Sequence, residues 1–281
     1  MEQIASIDGT LVKGARAVIP VDDLGLQRGY AVFDYARVCC GRIFHLGDHL
    51  ARFRLSADGL HLALAYSDEE ITRMALDLIR EFGQPEAGIR LILTGGSATA
   101  EPLLERPRFI MIAERLPSYP EAIYTGGVKL VSYEFQRDLP PVKTTNYMNA
   151  FRLDSFRRER DAFAILYLWN GRVLESPRDN FFIIRGASLV TARENVLHGI
   201  TRKVVLELSR DTYAVEERDL LVEELDEADE AFITSTTKRI VPVVRIDDRT
   251  IGKGSVGTET RAIMARFRAY EENYKLREDR S

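Results

Sequence analysis

PPVKTTNYMNAFR, residues 140–152, sets one lysine, Lys143, between two prolines that stiffen its approach and a run rich in hydroxyls and amides that opens a helix. Held there in a partly dry pocket, a lysine loses its proton readily enough to act as a nucleophilic amine. Most lysines are solvated surface groups, so the case for Lys143 depends on what surrounds it in the chain.

Outward from that junction, strand-like and helix-like runs alternate. AFAILYLWNGRVLESPRDNFFIIRGASLV (162–190) and KLVSYEFQ (129–136) read as strands, the first broken at Asn170-Gly171, a dipeptide suited to a tight hairpin. Helices are expected over 146–160, 200–211 and 257–270. Nearer the N-terminus, ARAVIPVDD (15–23) and YAVFDYARVCCGRIFHL (30–46) read as extended, followed by an amphipathic helix over 47–61 whose buried face takes Leu50, Phe53, Leu55 and Ala57, with Leu62 beyond it. The next helix, SDEEITRMALDLIREFG (67–83), opens on a cap-like Ser67 and an acidic turn and stops at Gly83. IRLILTGG (89–96) and RFIMIAERLP (108–117) form a strand pair. LPSYPEAIYTGG (116–127) concentrates Pro, Gly and Ser. The expected organisation is an N-terminal α/β domain over 1–117, a linker over 118–127 and a larger C-terminal domain over 128–281 carrying Lys143, in a two-domain α/β or α+β enzyme.

The 281 residues are 45% hydrophobic and 29% charged, a globular balance that argues against disorder. A net charge of −4 supplies no polycationic face for a phosphate backbone, so nucleic acid is not an expected partner. No apolar run approaches the roughly 18 residues of a membrane span, and MEQIASIDGT lacks a secretory core; the cytoplasm is the expected compartment. Cys39 and Cys40 are adjacent and point to opposite faces of a strand, and His45, His49, His61 and His198 show no ligand spacing, so no metal is expected.

VKTTNY (142–147), LESPRDNFF (174–182), HGITR (198–202) and FITSTTKRIVPV (232–243) follow one another in an order that resembles the branched-chain and D-amino-acid aminotransferase family, the fold-type IV pyridoxal-5′-phosphate enzymes. LGLQRGYAVFDYARVCCGRIFHLGDHLARFRLSADGL (24–60) resembles that family's opening segment, and the likeness runs over residues 21–267. It implies that Lys143 holds the cofactor as an imine and moves the proton at the substrate carbon, and that Glu175 faces the pyridine nitrogen and keeps it protonated. For the phosphate it implies Arg52, the N–H groups of Ile200 and Thr201 after Gly199, and the hydroxyl turn at Ser235 and Thr236. Taken alone, Arg52 reads equally as a solvated helix residue, Ser235-Thr236 as a capped turn and Glu175 as a strand-end carboxylate. For the cofactor's phenolic oxygen the resemblance implies Tyr147, one residue nearer the lysine than the comparable tyrosine of the branched-chain branch, with Arg137 the other candidate, outside the core assignment.

The resemblance also implies a homodimer whose substrates, amino acids and 2-oxo acids, lie in an interdomain cleft closed by a neighbouring subunit's loop. The D-amino-acid branch traps the carboxylate with an Arg-x-His pair, where this chain has Ala100 and Pro102. Three arginines, Arg28, Arg90 and Arg178, stand where they can receive carboxylates instead, with Arg28 the one expected to act across the subunit boundary. The alternative is that Arg28 and Arg178 pair with Asp34 or Asp179. Three activities follow in order of preference: a D-amino-acid transaminase using substrates such as D-glutamate or D-alanine with 2-oxoglutarate, a branched-chain L-amino-acid transaminase, and an aminodeoxychorismate lyase. A cofactor-binding protein without turnover is the reading from another class, and retention of both Lys143 and Glu175 speaks against it.

Overall fold

Alternating apolar residues in 30–39 and 86–94 call for a two-faced sheet. The structure, a computed structural model, describes residues 4–97 and 106–276. It divides into two compact units: Met1–Pro117 with Val142–Asn146, and Ser118–Pro141 with Tyr147–Ser281. The segment bearing Lys143 thus groups with the first unit.

In the first unit the elements are β1 (Ile4–Ile7), β2 (Thr10–Lys13), α1 (Leu24–Arg28), β3 (Ala31–Cys39), β4 (Arg42–Ile43), α2 (Leu46–Gly59), α3 (Asp68–Phe82), β5 (Glu86–Thr94) and β6 (Arg108–Glu114). The strands run antiparallel in the order β2-β1-β6-β5-β3-β4. Every position of β3 is buried. Its even residues Val32, Ala36 and Val38 pack with Leu50, Phe53 and Ala57 of α2 and with Ile71, Ala75 and Leu78 of α3. Its odd residues Phe33 and Tyr35 lie on the opposite face. β4 pairs only with the last residues of β3. Residues 143–145 take the edge left open: the Phe33 N–H donates to the Lys143 carbonyl at 2.9 Å, and Val32 bridges Thr144.

The cap signals of α3 work as its sequence predicts. Ser67 Oγ accepts from Glu70 N–H, the Glu70 carboxylate accepts from Ser67 N–H at 2.8 Å, and Gly83 ends the helix at φ 68°. Two expectations fail. Leu55 is 59% exposed, because it stands two residues, about 200°, round the helix from the fully buried Phe53. Residues 15–23 form no strand: Gly14–Arg16 is a 3-10 turn and the Pro20 carbonyl turns back to accept from Asp23 N–H. Val18 and Val21 are exposed there, so no burial favours an extended pairing.

The second unit contains α4 (Ala122–Thr125), β7 (Val128–Glu134), α5 (Met148–Arg152), α6 (Asp154–Glu159), β8 (Ala164–Trp169), β9 (Arg172–Val173), β10 (Glu175–Ser176), β11 (Asp179–Arg185), β12 (Ser188–Thr191), α7 (Ile200–Ser209), β13 (Ala214–Glu217), β14 (Leu220–Leu221), β15 (Glu230–Ser235), β16 (Arg239–Ile246), β17 (Arg249–Thr250) and α8 (Thr258–Leu276). Its sheet runs β13-β12-β11-β15-β16-β7-β8-β9-β14, with β10 on β11 and β17 on β16. β7 is parallel to both β8 and β16. Asn170 and Gly171, at φ 49° and 72°, make the hairpin between β8 and β9 with the left-handed pair that such a turn requires. The single helix expected over 146–160 is instead two short ones, broken at Leu153 (φ −90°, ψ 6°). Leu153 is buried with Ala162 and Ile165, and its packing overrides helix continuity. α8 runs on to Leu276, past the expected end at 270.

Phe53→Ala is expected to cost about 3–5 kcal/mol and Leu55→Ala less than about 0.5 kcal/mol, read from urea unfolding of the two variants. Equal losses would contradict the face assignment.

Candidate functional site

In the first unit, Lys143 is tied down at three points. Its N–H donates to Ser56 Oγ at 3.0 Å, its carbonyl accepts from Phe33, and its Nζ lies 4.5 Å from the centre of the Phe33 ring. The same ring carries a second cation: Arg90 Cζ is 5.7 Å from the Phe33 centroid and 5.0 Å from that of Tyr35. Arg90 projects from β5 and pairs with Glu114 at 2.7 Å while remaining half-buried. Arg28, at the exposed C-terminal end of α1, donates to the Gln27 carbonyl and does not join this group.

Arg52 sits on α2, one turn before Ser56, and meets Asp34 of β3. Nε donates to Oδ2 at 2.9 Å and Nη2 to Oδ1 at 2.8 Å. His49 Nδ1 lies 2.6 Å from the same Oδ1, which also accepts from Tyr35 N–H at 2.7 Å. Burial by itself would raise the Asp34 carboxyl, but the charges of Arg52 and His49 and their hydrogen bonds overcome it and hold it well below the usual carboxylate range. Burial is also the largest effect on His49 and pushes the imidazole down against the attraction of Asp34, so the ring is neutral near pH 7 and Nδ1–H donates. Asp34 is therefore the partner of Arg52 and not of Arg28. The sequence offers Asp34 only as a partner for Arg28 or Arg178 and gives His49 no part; the signal that joins them to Arg52 is a lone carboxylate at an inward-facing position of an apolar strand, which demands a buried partner.

In the second unit, Glu175 on β10 is buried and held by several donors. Arg137 Nε and Nη2 reach Oε1 at 2.9 and 2.8 Å, Leu197 N–H donates to Oε2 at 3.0 Å, and Asn180 Nδ2 lies 3.4 Å from Oε2. Arg137 thus partners Glu175. Asn180 links this carboxylate to the start of α7. Its Nδ2 donates to the Leu197 carbonyl at 2.6 Å, and a Cβ at Gly199 would come within 2.2 Å of its Oδ1, so glycine alone fits there. No side chain caps α7, which leaves the Ile200 and Thr201 end to its backbone donors. Asn180 also pairs in register with Thr234, next to Ser235 and Thr236. Ser176 Oγ, Thr234 Oγ1 and Ser235 Oγ are buried with no hydrogen-bond partner among the described residues. Glu175, the α7 start and the hydroxyl turn are so gathered around one asparagine, whose only sequence signal was its place in the RDNFF run.

Tyr147 precedes α5 with Arg178 Cζ 5.7 Å from its ring centre, and burial raises its phenol above the ordinary value. Burial likewise raises Tyr167, to about 12, against the lowering effect of Arg137. Both are neutral donors at physiological pH. Asp179, the alternative partner for Arg178, instead meets Lys238 Nζ at 2.7 Å. Ala100 and Pro102 lie outside the described residues. Among the described residues no cluster of His, Cys, Asp and Glu has metal-binding geometry.

The family model described as Amino-transferase class IV matches residues 31–246. Over 266 residues the chain is 27% identical to a D-alanine aminotransferase of Bacillus licheniformis, covering 91% of this chain and 93% of that protein. Over 276 residues it is 31% identical to a putative branched-chain-amino-acid aminotransferase of Methanocaldococcus jannaschii, covering 93% and 94%. A solved T.th. branched-chain amino acid aminotransferase with pyridoxamine 5′-phosphate superposes with a TM-score of 0.88 at 26% identity, covering 99% of this chain and 96% of that one.

Asp34 and His49 both have depressed folded-state values, so the unfolded chain binds more protons and stability falls with falling pH: first below the ordinary histidine value of 6.5, then below the ordinary carboxylate value of 3.8. Thermal melts across this range should show His49→Gln losing the first decline relative to wild type. Parallel curves for both proteins would remove His49 from the titration.

Proposed function

The chain belongs to the class IV amino-transferase family, and we propose that it exchanges the amino group of D-amino acids such as D-glutamate or D-alanine with 2-oxo acids such as 2-oxoglutarate. It is a pyridoxal-phosphate-dependent aminotransferase of fold type IV. The residues present suit that cofactor. A half-buried amine lies against an aromatic face at Lys143, a carboxylate at Glu175 is oriented by Arg137, Asn180 and Leu197, and an uncapped helix start stands in one unit with unpartnered buried hydroxyls. When bound, the cofactor supplies an aldehyde carbon and an electron-accepting ring.

In this reading Lys143 attaches the cofactor and takes and returns the proton at the substrate α-carbon. Glu175 holds a proton at the ring nitrogen, and its own donors keep the carboxylate from turning away. Arg52, the N–H groups of Ile200 and Thr201, and the hydroxyls of Ser235 and Thr236 hold the phosphate. Tyr147, a neutral phenol, donates to the cofactor's phenolic oxygen.

The observation that carries the D-amino-acid assignment is the Phe33 ring shared by the Lys143 amine and the Arg90 guanidinium. In this reading the Arg90 guanidinium, which shares that ring and meets Glu114 through Nη2, offers its remaining donors to a substrate carboxylate and takes over from the Arg-x-His pair that the sequence lacks. Arg178 beside Tyr147 serves the second carboxylate of a glutamate-like substrate, and Arg28 acts from the neighbouring subunit of a homodimer. Exposed Met148 and Phe151 on α5 suit a face covered by such a partner. The working compartment in this proposal is the cytoplasm; no helix among the described residues is long and apolar enough to cross a membrane. The second reading, a branched-chain L-amino-acid transaminase, is favoured by the likeness to the M. jannaschii protein.

Mixing the holoenzyme separately with D-glutamate, D-alanine, L-leucine and L-glutamate and following the visible band decides between them. A shift with the D-amino acids alone is expected; a shift with L-leucine and L-glutamate alone establishes the second reading. Arg90→Ala and Arg178→Ala should each weaken 2-oxo-acid affinity by about 1.5–3 kcal/mol through loss of a charge-assisted contact, seen in KM. An unchanged KM removes that arginine from the site. Borohydride treatment followed by peptide mapping should label Lys143, and a label elsewhere overturns its role.

A further inference from the structure

Moving an amino group gives Asp34 and His49 no chemical task, yet both are fully enclosed and both serve one guanidinium. Enclosing a carboxylate is costly unless it is paired and fully hydrogen-bonded, and Asp34 accepts from Arg52, His49 and Tyr35 N–H. β3 uses adjacent residues for two purposes: Phe33 holds the Lys143 carbonyl and Asp34 holds the Arg52 side chain. α2 repeats the arrangement one turn apart, with Ser56 on the Lys143 N–H and Arg52 on Asp34. The backbone of the lysine and the fork of the arginine are thereby referenced to the same short stretch of sheet and helix.

The geometry points to Asp34, oriented by His49, as a positioning residue that presets the Arg52 guanidinium relative to Lys143, so that a phosphorylated aldehyde meets both anchors at once. The inference rests on Arg52 being a phosphate ligand, as proposed above. Asp34 occupies the Nε/Nη2 edge in a bidentate pairing, which fixes the rotation of the planar group. An arginine left to itself loses side-chain freedom on meeting a phosphate; one already clamped does not, and the difference appears as affinity for the phosphorylated ligand alone. If Asp34 did no more than join α2 to β3, its loss would weaken phosphorylated and unphosphorylated ligands alike.

The test uses the full-length apoprotein, titrated with pyridoxal 5′-phosphate and separately with pyridoxal, in wild type, Asp34→Asn, His49→Gln and Arg52→Lys, with the visible band as readout and a thermal melt of each variant. The preference for the phosphorylated over the plain aldehyde should fall roughly tenfold or more in Asp34→Asn and by a smaller factor in His49→Gln, with pyridoxal affinity unchanged. If Arg52→Lys abolishes the preference while Asp34→Asn and His49→Gln keep it, the positioning role is overturned and the phosphate role of Arg52 stands. If Arg52→Lys keeps the preference, the phosphate assignment fails and the inference with it. Should Asp34→Asn not fold, His49→Gln decides alone: an unchanged preference overturns the proposal.

Discussion

A carboxylate shut away from water in the middle of a nine-residue strand is the constraint from which the first unit is built. Asp34 occupies a position where the period of two requires an apolar side chain, and it is tolerable only because α2 delivers a guanidinium and an imidazole to it. That demand fixes the rotation of α2 about its axis, since Arg52, His49 and the apolar Phe53 must all face the sheet together. Phe33 and Tyr35 then fall on the other surface, where Lys143 and Arg90 find their aromatic neighbour. The second unit has its own counterpart in Asn180, an amide that satisfies Glu175, the Leu197 carbonyl and the approach to Gly199 at once.

What could be read from the chain follows from how local each signal is. Ser67 with Glu70, Gly83 and Asn170-Gly171 act within a few residues, and all three appear where the sequence puts them. The break at Leu153 depends on which neighbours arrive from elsewhere and periodicity misses it, whereas the exposure of Leu55 follows from its angle to Phe53 round the helix. Among the site residues, Lys143, Arg52 and Glu175 stood out because they fall inside ordered motifs. Asp34, His49 and Asn180 lie in the same runs but did not stand out, because each owes its position to a contact with a side chain or carbonyl fifteen or more residues away, at 2.6 Å in all three cases.

Arginine use shows why composition was a blunt guide. Arg28, Arg90 and Arg178 look equivalent in the sequence, but one ends an exposed helix, one stacks on two aromatic rings with a carboxylate partner, and one rests near a tyrosine. Asp34 and Asp179, the acids offered as partners for Arg28 and Arg178, are committed to Arg52 and Lys238. Charge counting cannot distinguish these cases, whereas the geometry of each fork does.

The return of Val142–Asn146 to the first unit has a consequence for synthesis. A nascent chain whose first half has just cleared the ribosome tunnel already holds the strand, the helix and the lysine segment that complete that unit, before the β10 and α7 residues have emerged. Phe33 and Ser56 are then already at hand to seat Lys143 while Glu175 is still out of reach, so the two halves of the chain gain their order in the direction of translation.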